Sequence, residues 1–354
     1  MRWRSTDRLA PLAAVEGRKQ PADMTTTPVL TLRTPGEIAA VVPYLTGFVP
    51  RESLVAISLR GPSRRVGLTL RTHLDEHPEV VAQVVEAMVR DRARLCIVTV
   101  HTSTPTGKAH PWAALVDAVE IGLRGQGIDL GEALLVRDGL WWSYRCAGRC
   151  CPPSGTPIDT TSPVVQATAS AHALAGRAVL GSREELVASL QPQLPLGAAL
   201  ARRLQGQAVE ALRDQVLAGA GAAEREELRR WRAALDAWEQ QPGTLPPAQA
   251  AALGIGLHLP PVRDTVASWA VDRHDALLGL LLQLCRVVVG PDDAPLCAVV
   301  AWVAYAQGNG ALALVAVQRA LATDPTYSLA ELLLAVIDGV VAPDQVRALL
   351  RDAA

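Results

Sequence analysis

The chain has 354 residues, of which 49% are hydrophobic and 19% are charged. This composition provides enough apolar side chains for folded cores and excludes an intrinsically disordered protein. Because 34 basic residues are balanced by 35 acidic ones, the chain lacks the general positive charge that favours binding to nucleic acid.

Residues 1–27 contain no apolar run long enough for the core of a signal peptide. We expect them to form a disordered lead-in. Within this segment, Met24 precedes three threonines and is an alternative to Met1 as the first residue of the protein.

Membrane insertion and a disulfide framework are both disfavoured by the sequence. The most apolar run, residues 276–289, is interrupted by Gln283 and Arg286, so no segment reaches the roughly 18 consecutive apolar residues that span a bilayer. Six cysteines are too few for a disulfide framework in a chain of this length. We therefore expect a cytoplasmic protein with no membrane partner.

Residues 28–160 are predicted to form an α/β domain. Thr34 and Glu37 have the spacing of a capping box, which predicts a helix that ends at Gly47. An Asp138-Gly139 pair between two apolar runs predicts a tight hairpin. The predicted order is α-β-β-α-β-α-β-β, which requires a mixed sheet with covering helices. The predicted strands are 53–59, 66–70, 95–100, 132–136 and 140–144, and the later helices are 78–90 and 111–123.

Residues 161–354 are predicted to form an all-α domain, interrupted by a Pro/Gly-rich break over residues 240–261. Between residues 297 and 325, small residues recur at the spacing of one tetratricopeptide-like (TPR-like) unit. Such a hairpin could bind a protein partner, and the alternative is a close-packed pair of helices without a groove. The predicted helices are 163–178, 183–190, 197–218, 223–239, 263–289, 294–307, 310–323, 326–338 and 343–351.

A candidate ligand pocket follows the buried strand 95–100, since ligands bind at the carboxyl ends of strands in α/β sheets. Thr106-Gly107-Lys108 resembles the end of a phosphate-binding loop, but the upstream glycine is missing and Ala109 stands where a Mg²⁺-binding hydroxyl is required. The motif therefore assigns no nucleotide cofactor. The residues predicted to line the pocket are His101, Thr102, Ser103, Thr104, Lys108 and His110.

A cluster of three cysteines, Cys146, Cys150 and Cys151, forms a candidate thiol site after a pair of tryptophans. These thiols could pack as small apolar groups, form a redox pair, or bind a soft metal such as zinc with His101 or His110 as a distant ligand. The spacing contains no Cys-x-x-Cys pair, so no metal is assigned, and structural packing is the favoured interpretation.

Several of these motifs together resemble DUF4192, an actinobacterial family of proteins of unknown function. The resemblance runs from about residue 28 to the end of the chain, and it implies the two-part architecture and a bacterial cytoplasmic setting, but no activity. The residues that carry it are Leu32, Pro35, Glu37 and Ile38; Val42 to Leu45, Gly47, Phe48 and Pro50; Ser53 to Val55; Trp142 to Tyr144, Cys146, Cys150 to Pro152 and Gly155; Ser182 to Leu186; and the helical pair from Trp302 to Pro325.

The sequence thus favours a regulatory or protein-interaction role, with a small-ligand pocket in the α/β domain. The alternative is a thiol-dependent or metal-dependent enzyme that uses the loop of Cys146, Cys150 and Cys151, with His101 or His110 as the base.

Overall fold

A mixed β-sheet organises the amino-terminal part of the chain in the structure, a computed structural model. The structure describes residues 13–15, 30–105, 110–146, 151–174, 178–193, 197–339, 341, 345 and 346. The chain divides into two compact units, Met1–Ser182 and Arg183–Ala354. The first unit contains the sheet and the second is helical, which confirms the predicted fold class.

The sheet of the first unit has the strand order β2-β1-β4-β3-β5-β6-β7-β8. Strands β3 and β5 are antiparallel, β5 and β6 are parallel, and β6 and β7 are antiparallel. The strands are β1 (Ala13–Val15), β2 (Leu30–Leu32), β3 (Ser53–Arg60), β4 (Arg65–His73), β5 (Leu95–His101), β6 (Asp129–Arg137), β7 (Leu140–Ser143) and β8 (Thr156–Pro157).

Local signals in the sequence account for several of these elements. The turn between β6 and β7 has positive φ at both Asp138 (49°) and Gly139 (75°), as a type I′ hairpin turn requires. The predicted capping box is also present, because the amide of Glu37 donates to Thr34 Oγ1 at 3.2 Å and the amide of Thr34 donates to Glu37 Oε2 at 3.1 Å. Strand β5 is buried along almost its whole length, as its continuous apolar run predicts.

Four helices cover the sheet: α1 (Pro35–Thr46), α2 (Pro78–Arg90), α3 (Ala113–Gly125) and α4 (Pro163–Leu174). Helices α1 and α4 pack together on one face, where Val165 joins the core beneath α1. The hydroxyl of Ser162 donates to Glu37 Oε1 at 2.9 Å, which ties the start of α4 to the start of α1. Helices α2 and α3 pack against each other on the opposite face.

The second unit contains the remaining helices, and it differs from the predictions in two places. The long helical segment Ala198–Gln240 is kinked at Gly219, whose φ of 159° and ψ of 106° are not helical, so it is divided within the interval between the predicted helices 197–218 and 223–239. The predicted break at 240–261 is wrong over its central part, where a helix forms from Pro247. The predicted helix 263–289 is divided by the short 3-10 turn Trp269–Val271. The helices are α5 (Arg183–Ser189), α6 (Ala198–Gln240), α7 (Pro247–Gly256), α8 (Pro260–Ser268), α9 (His274–Cys285), α10 (Ala294–Ala306), α11 (Gly310–Thr323) and α12 (Ser328–Asp338).

Helices α10 and α11 form a tightly packed pair at the centre of this unit. Nearly every residue of α10 is buried, and Asn309 caps α11 by accepting a hydrogen bond from the amide of Leu312 at 3.1 Å. The helical pair is therefore established, whereas its likeness to a tetratricopeptide unit and its protein partner stay predictions. The predicted helix 343–351 lies outside the described residues except for positions 345 and 346.

None of the helices in the described part of the chain combines the length and the apolarity that crossing a membrane requires.

Candidate functional site

His101, the first residue of the predicted strand-end pocket, lies in the interior of the first unit. Its exposed fraction is only 4%, and its ring Nε2 lies 2.9 Å from Thr99 Oγ1. Alternation along β5 places it on the same face as Ile97, which packs beneath α1. Burial lowers the pKa of His101 to about 4, so the ring is neutral at pH 7. A buried, neutral histidine at this position packs in the core and does not face an open pocket.

Thr102 and Ser103 are held by a residue that the sequence analysis does not name, Glu52. The hydroxyl of Thr102 donates to Glu52 Oε2 at 2.9 Å, while the amide and hydroxyl of Ser103 donate to Glu52 Oε1 at 2.6 and 2.7 Å. Burial raises the pKa of Glu52, but these hydrogen bonds outweigh it and the net pKa is lowered. The carboxylate of Glu52 thus occupies the donors that the predicted pocket would offer to a ligand.

The other predicted pocket residues are separated from His101. The guanidinium of Arg137 donates to the carbonyl of Thr104 at 2.9 Å. The ring of His110 lies 5.5 Å from the ring of Tyr144, whose hydroxyl donates to the carbonyl of Pro111 at 2.7 Å. Alternation along β7 places Tyr144 on the face opposite to His101. Lys108 lies outside the described residues, so this pocket stays a prediction.

The cysteine loop is attached to the sheet through Trp142. The indole Nε1 of Trp142 donates to the carbonyl of Pro153 at 3.0 Å, and Gly155, with a φ of 83°, lies directly against the ring. Cys146 and Cys151 are half-buried, and Cys151 packs against the core beneath α1.

The roles of these thiols stay predictions, because Cys150 lies outside the described residues. Among the residues that the structure describes, no group of three His, Cys, Asp or Glu side chains is placed to hold a metal ion.

A cavity of about 660 Å³ lies in the second unit, and we call it the first cavity. Its walls come from the start of α6, the start of α7 and the end of α9. Most of its lining is apolar, and the polar groups are an arginine, two glutamine side chains and a threonine. The lining residues are Gln193, Gly197, Leu200, Ala201, Leu204, Thr244, Leu245, Pro247, Gln283, Arg286 and Val287.

Gln205 fixes the walls of the first cavity relative to each other. This buried side chain on α6 donates to the carbonyl of Val289 at 2.8 Å and accepts from the amide of Val289 at 2.9 Å. The side-chain amide of Gln205 therefore makes two hydrogen bonds with the backbone of Val289, just beyond α9. On the other side, the amide of Gln193 donates to the carbonyl of Arg286 at 2.8 Å. These bonds hold α6, α9 and the segment before α6 together around the opening.

Arg286 is the charged group among the described residues that line the first cavity. Its side chain is exposed, and no carboxylate in the described part of the chain pairs with it. Arg286 and Gln283 are also the residues that interrupt the apolar run 276–289. That interruption was the available sequence signal for the cavity, because a polar pair near the end of a buried helix marks where the helix meets solvent.

The structure therefore defines a two-unit protein, with an α/β unit in which Glu52 binds Thr102 and Ser103 at the end of β5 and a helical unit that contains an apolar cavity. The chain matches the model of the Domain of unknown function (DUF4192) over residues 35–344 and belongs to this family. This match confirms the resemblance found from the motifs. No curated protein and no solved structure shows a significant similarity to the chain.

Proposed function

We propose that this protein is a regulatory binding protein whose helical unit binds a small amphiphilic anion in the first cavity. The observation that carries the proposal is an apolar cavity of about 660 Å³ with an exposed arginine, Arg286, at its edge. The ligand would place an apolar chain or ring against the cavity wall and a carboxylate or phosphate against the guanidinium.

The size and lining of the first cavity support a small-molecule ligand. Typical ligand sites have volumes of about 300–1,000 Å³, mostly apolar walls and a few polar groups that fix orientation. The aliphatic side chains of Leu200, Leu204, Leu245 and Val287 provide the apolar wall here. Each 100 Å² of apolar ligand surface that they cover contributes about 2.5 kcal/mol before the cost of association.

The charge of Arg286 supports an anionic head group. A guanidinium presents paired donors that match a carboxylate or a phosphate, and such charge-assisted hydrogen bonds are the strong ones. Arg286 is exposed and has no carboxylate partner among the described residues, so it retains these donors for a ligand.

The lining supports binding and not catalysis. Among the described residues that line the first cavity there is no histidine, cysteine, aspartate or glutamate. General acid–base and nucleophilic catalysis both depend on such side chains within hydrogen-bond reach of the substrate. The enzymatic alternative on the cysteine loop stays a prediction, and the burial of His101 removes the accessible base that one form of it requires.

The proposal is tested by calorimetric titration with decanoate, and with decanol as the uncharged probe of the same length. We expect decanoate to bind and decanol to bind about tenfold more weakly, which corresponds to about 1.4 kcal/mol for the charge-assisted hydrogen bonds. The variant Arg286→Gln is expected to remove this preference for decanoate.

Arg203→Gln provides the matched control, because Arg203 is exposed on the neighbouring helix α6 but does not line the cavity. The proposal is overturned if decanoate does not bind at millimolar concentrations, or if Arg203→Gln weakens binding as much as Arg286→Gln does.

A further inference from the structure

A second cavity, of about 440 Å³, lies in the helical unit between the segment after α5 and helix α11. It is more polar than the first cavity, and its base contains a buried ion pair. The side chains of Asp293 and Arg319 have exposed fractions of only 4% and 8%, and both line this cavity.

Arg319 is saturated by partners in the protein. Its Nε and Nη2 donate to Asp293 Oδ2 at 2.9 and 2.7 Å, and Nη2 also donates to the carbonyl of Val288 at 3.0 Å. Its Nη1 donates to the carbonyls of Cys285, at 3.2 Å, and of Leu190. A guanidinium has five N–H groups, so Arg319 has no donor left for a ligand.

Arg319 donates to only one of the two carboxylate oxygens of Asp293. Both bonds from Arg319 go to Asp293 Oδ2, and Oδ1 is buried without a hydrogen-bond partner among the described residues. A buried acceptor left unsatisfied costs about 1–3 kcal/mol, and more when it is charged. Because Asp293 lines the second cavity, an unsatisfied oxygen on its side chain points to a ligand that donates a hydrogen bond.

Gly290 lies beside this unpartnered oxygen and beside Thr323. A Cβ atom placed on Gly290 would lie 3.3 Å from Thr323 Cγ2, 3.6 Å from Asp293 Oδ1 and 3.6 Å from Thr323 Oγ1. Both residues line the second cavity. The absence of a side chain at Gly290 therefore leaves a carboxylate oxygen that only accepts and a hydroxyl that can donate or accept close to the same side of the cavity.

We propose that the second cavity binds a neutral hydroxylated molecule, such as a polyol or sugar, with one ligand hydroxyl beside Gly290. That hydroxyl donates to Asp293 Oδ1 and accepts from the hydroxyl of Thr323. A neutral ligand fits because Asp293 and Arg319 cancel each other's charge, an anion would be repelled by Oδ1, and a cation would approach Arg319. This site is independent of the ligand proposed for the first cavity.

The test is saturation-transfer difference NMR of the full chain with glycerol, myo-inositol and D-glucose as probes. We expect at least one probe to bind. Gly290→Ala, which adds a methyl group 3.6 Å from both oxygens, and Thr323→Val, which removes the hydroxyl, should each weaken its binding by tenfold or more. Both variants preserve the Asp293–Arg319 pair, and circular dichroism checks that they are folded.

Thr265→Val is the matched control, because Thr265 is a half-buried threonine on α8 that does not line the cavity. Arg286→Gln, which tests the first cavity, should leave polyol binding unchanged, so the two proposals can fail separately. The inference is overturned if none of the probes binds, which would leave Asp293 Oδ1 to water, or if binding survives both Gly290→Ala and Thr323→Val.

Discussion

Acidification should destabilise the first unit through His101. In the unfolded chain this histidine titrates near its ordinary pKa of 6.5, whereas burial lowers the pKa in the folded protein to about 4. Between these two pH values the unfolded chain binds a proton that the folded protein does not. The stabilisation is therefore complete above pH 6.5 and is lost as the pH falls towards 4. A pKa difference of this size corresponds to about 3 kcal/mol of unfolding free energy.

The substitution His101→Gln isolates this effect. An amide can keep a hydrogen bond with Thr99 but does not titrate, so the loss of stability between pH 7 and pH 4 should be about 3 kcal/mol smaller in the variant than in the wild type. The measurement is unfolding in guanidinium at a series of pH values, monitored by hydrogen exchange. Peptides from β5 are analysed because they report on the first unit alone.

His77→Asn is the control, because His77 is an exposed capping residue and asparagine can also cap a helix. Its stability should depend on pH as that of the wild type does. The argument is refuted if wild type and His101→Gln lose equal stability between pH 7 and pH 4, since His101 would then be accessible to protons in the folded state.

Two further predictions concern the first unit and the buried thiols. Gly155→Ala should lower the unfolding free energy by at least about 1–3 kcal/mol, because φ is 83° and the new Cβ would lie 2.5 Å from the ring of Trp142. Gly125→Ala is the control, because Gly125 lies in a helix with open space around it, and this variant should not lose stability. Equal melting temperatures for Gly155→Ala and Gly125→Ala would contradict the described packing of Gly155 against Trp142. The fully buried thiols of Cys96, Cys285 and Cys297 should not react with iodoacetamide at pH 7 until the protein unfolds. Rapid alkylation of these thiols in the native protein, detected by mass spectrometry, would contradict the described core.

The elements that were predicted correctly are those with a local physical cause. The capping box of Thr34 and Glu37 and the Asp138-Gly139 turn each depend on residues a few positions apart, so the sequence contains the whole signal. Strand β5 was found for a similar reason, since a continuous apolar run is typical of a strand that is covered on both faces.

The helix α7 was not predicted, because proline and glycine occur both in breaks between helices and within helices. Pro247 occupies the first turn of this helix, where its missing N–H has no cost. Gly254 and Gly256 lie inside it, where they allow close packing: a Cβ on Gly254 would lie 2.7 Å from a methyl group of Val288. Whether a glycine ends a helix or lets a neighbour approach is decided by the tertiary packing, which a local pattern does not contain.

The surroundings of the predicted strand-end pocket depend on which strands pair. Ligands bind at the carboxyl ends of strands in parallel α/β sheets, but β5 has an antiparallel neighbour, β3. Glu52 immediately precedes β3 and is therefore brought beside the end of β5, where it binds Thr102 and Ser103. These residues are about fifty positions apart, and only the pairing of the strands brings them together. The first cavity is also assembled from distant segments, so its residues share no motif.

Photoaffinity labelling tests the central proposal most directly. A decanoate analogue with a terminal diazirine is bound to the full chain, activated by light and located by peptide mass spectrometry. We predict labels at the residues that line the first cavity, Gln193 and the segments 197–204, 244–247 and 283–287, and we predict that excess decanoate removes them. Labels that lie elsewhere, or that excess decanoate does not displace, would contradict the assignment of this cavity as the binding site.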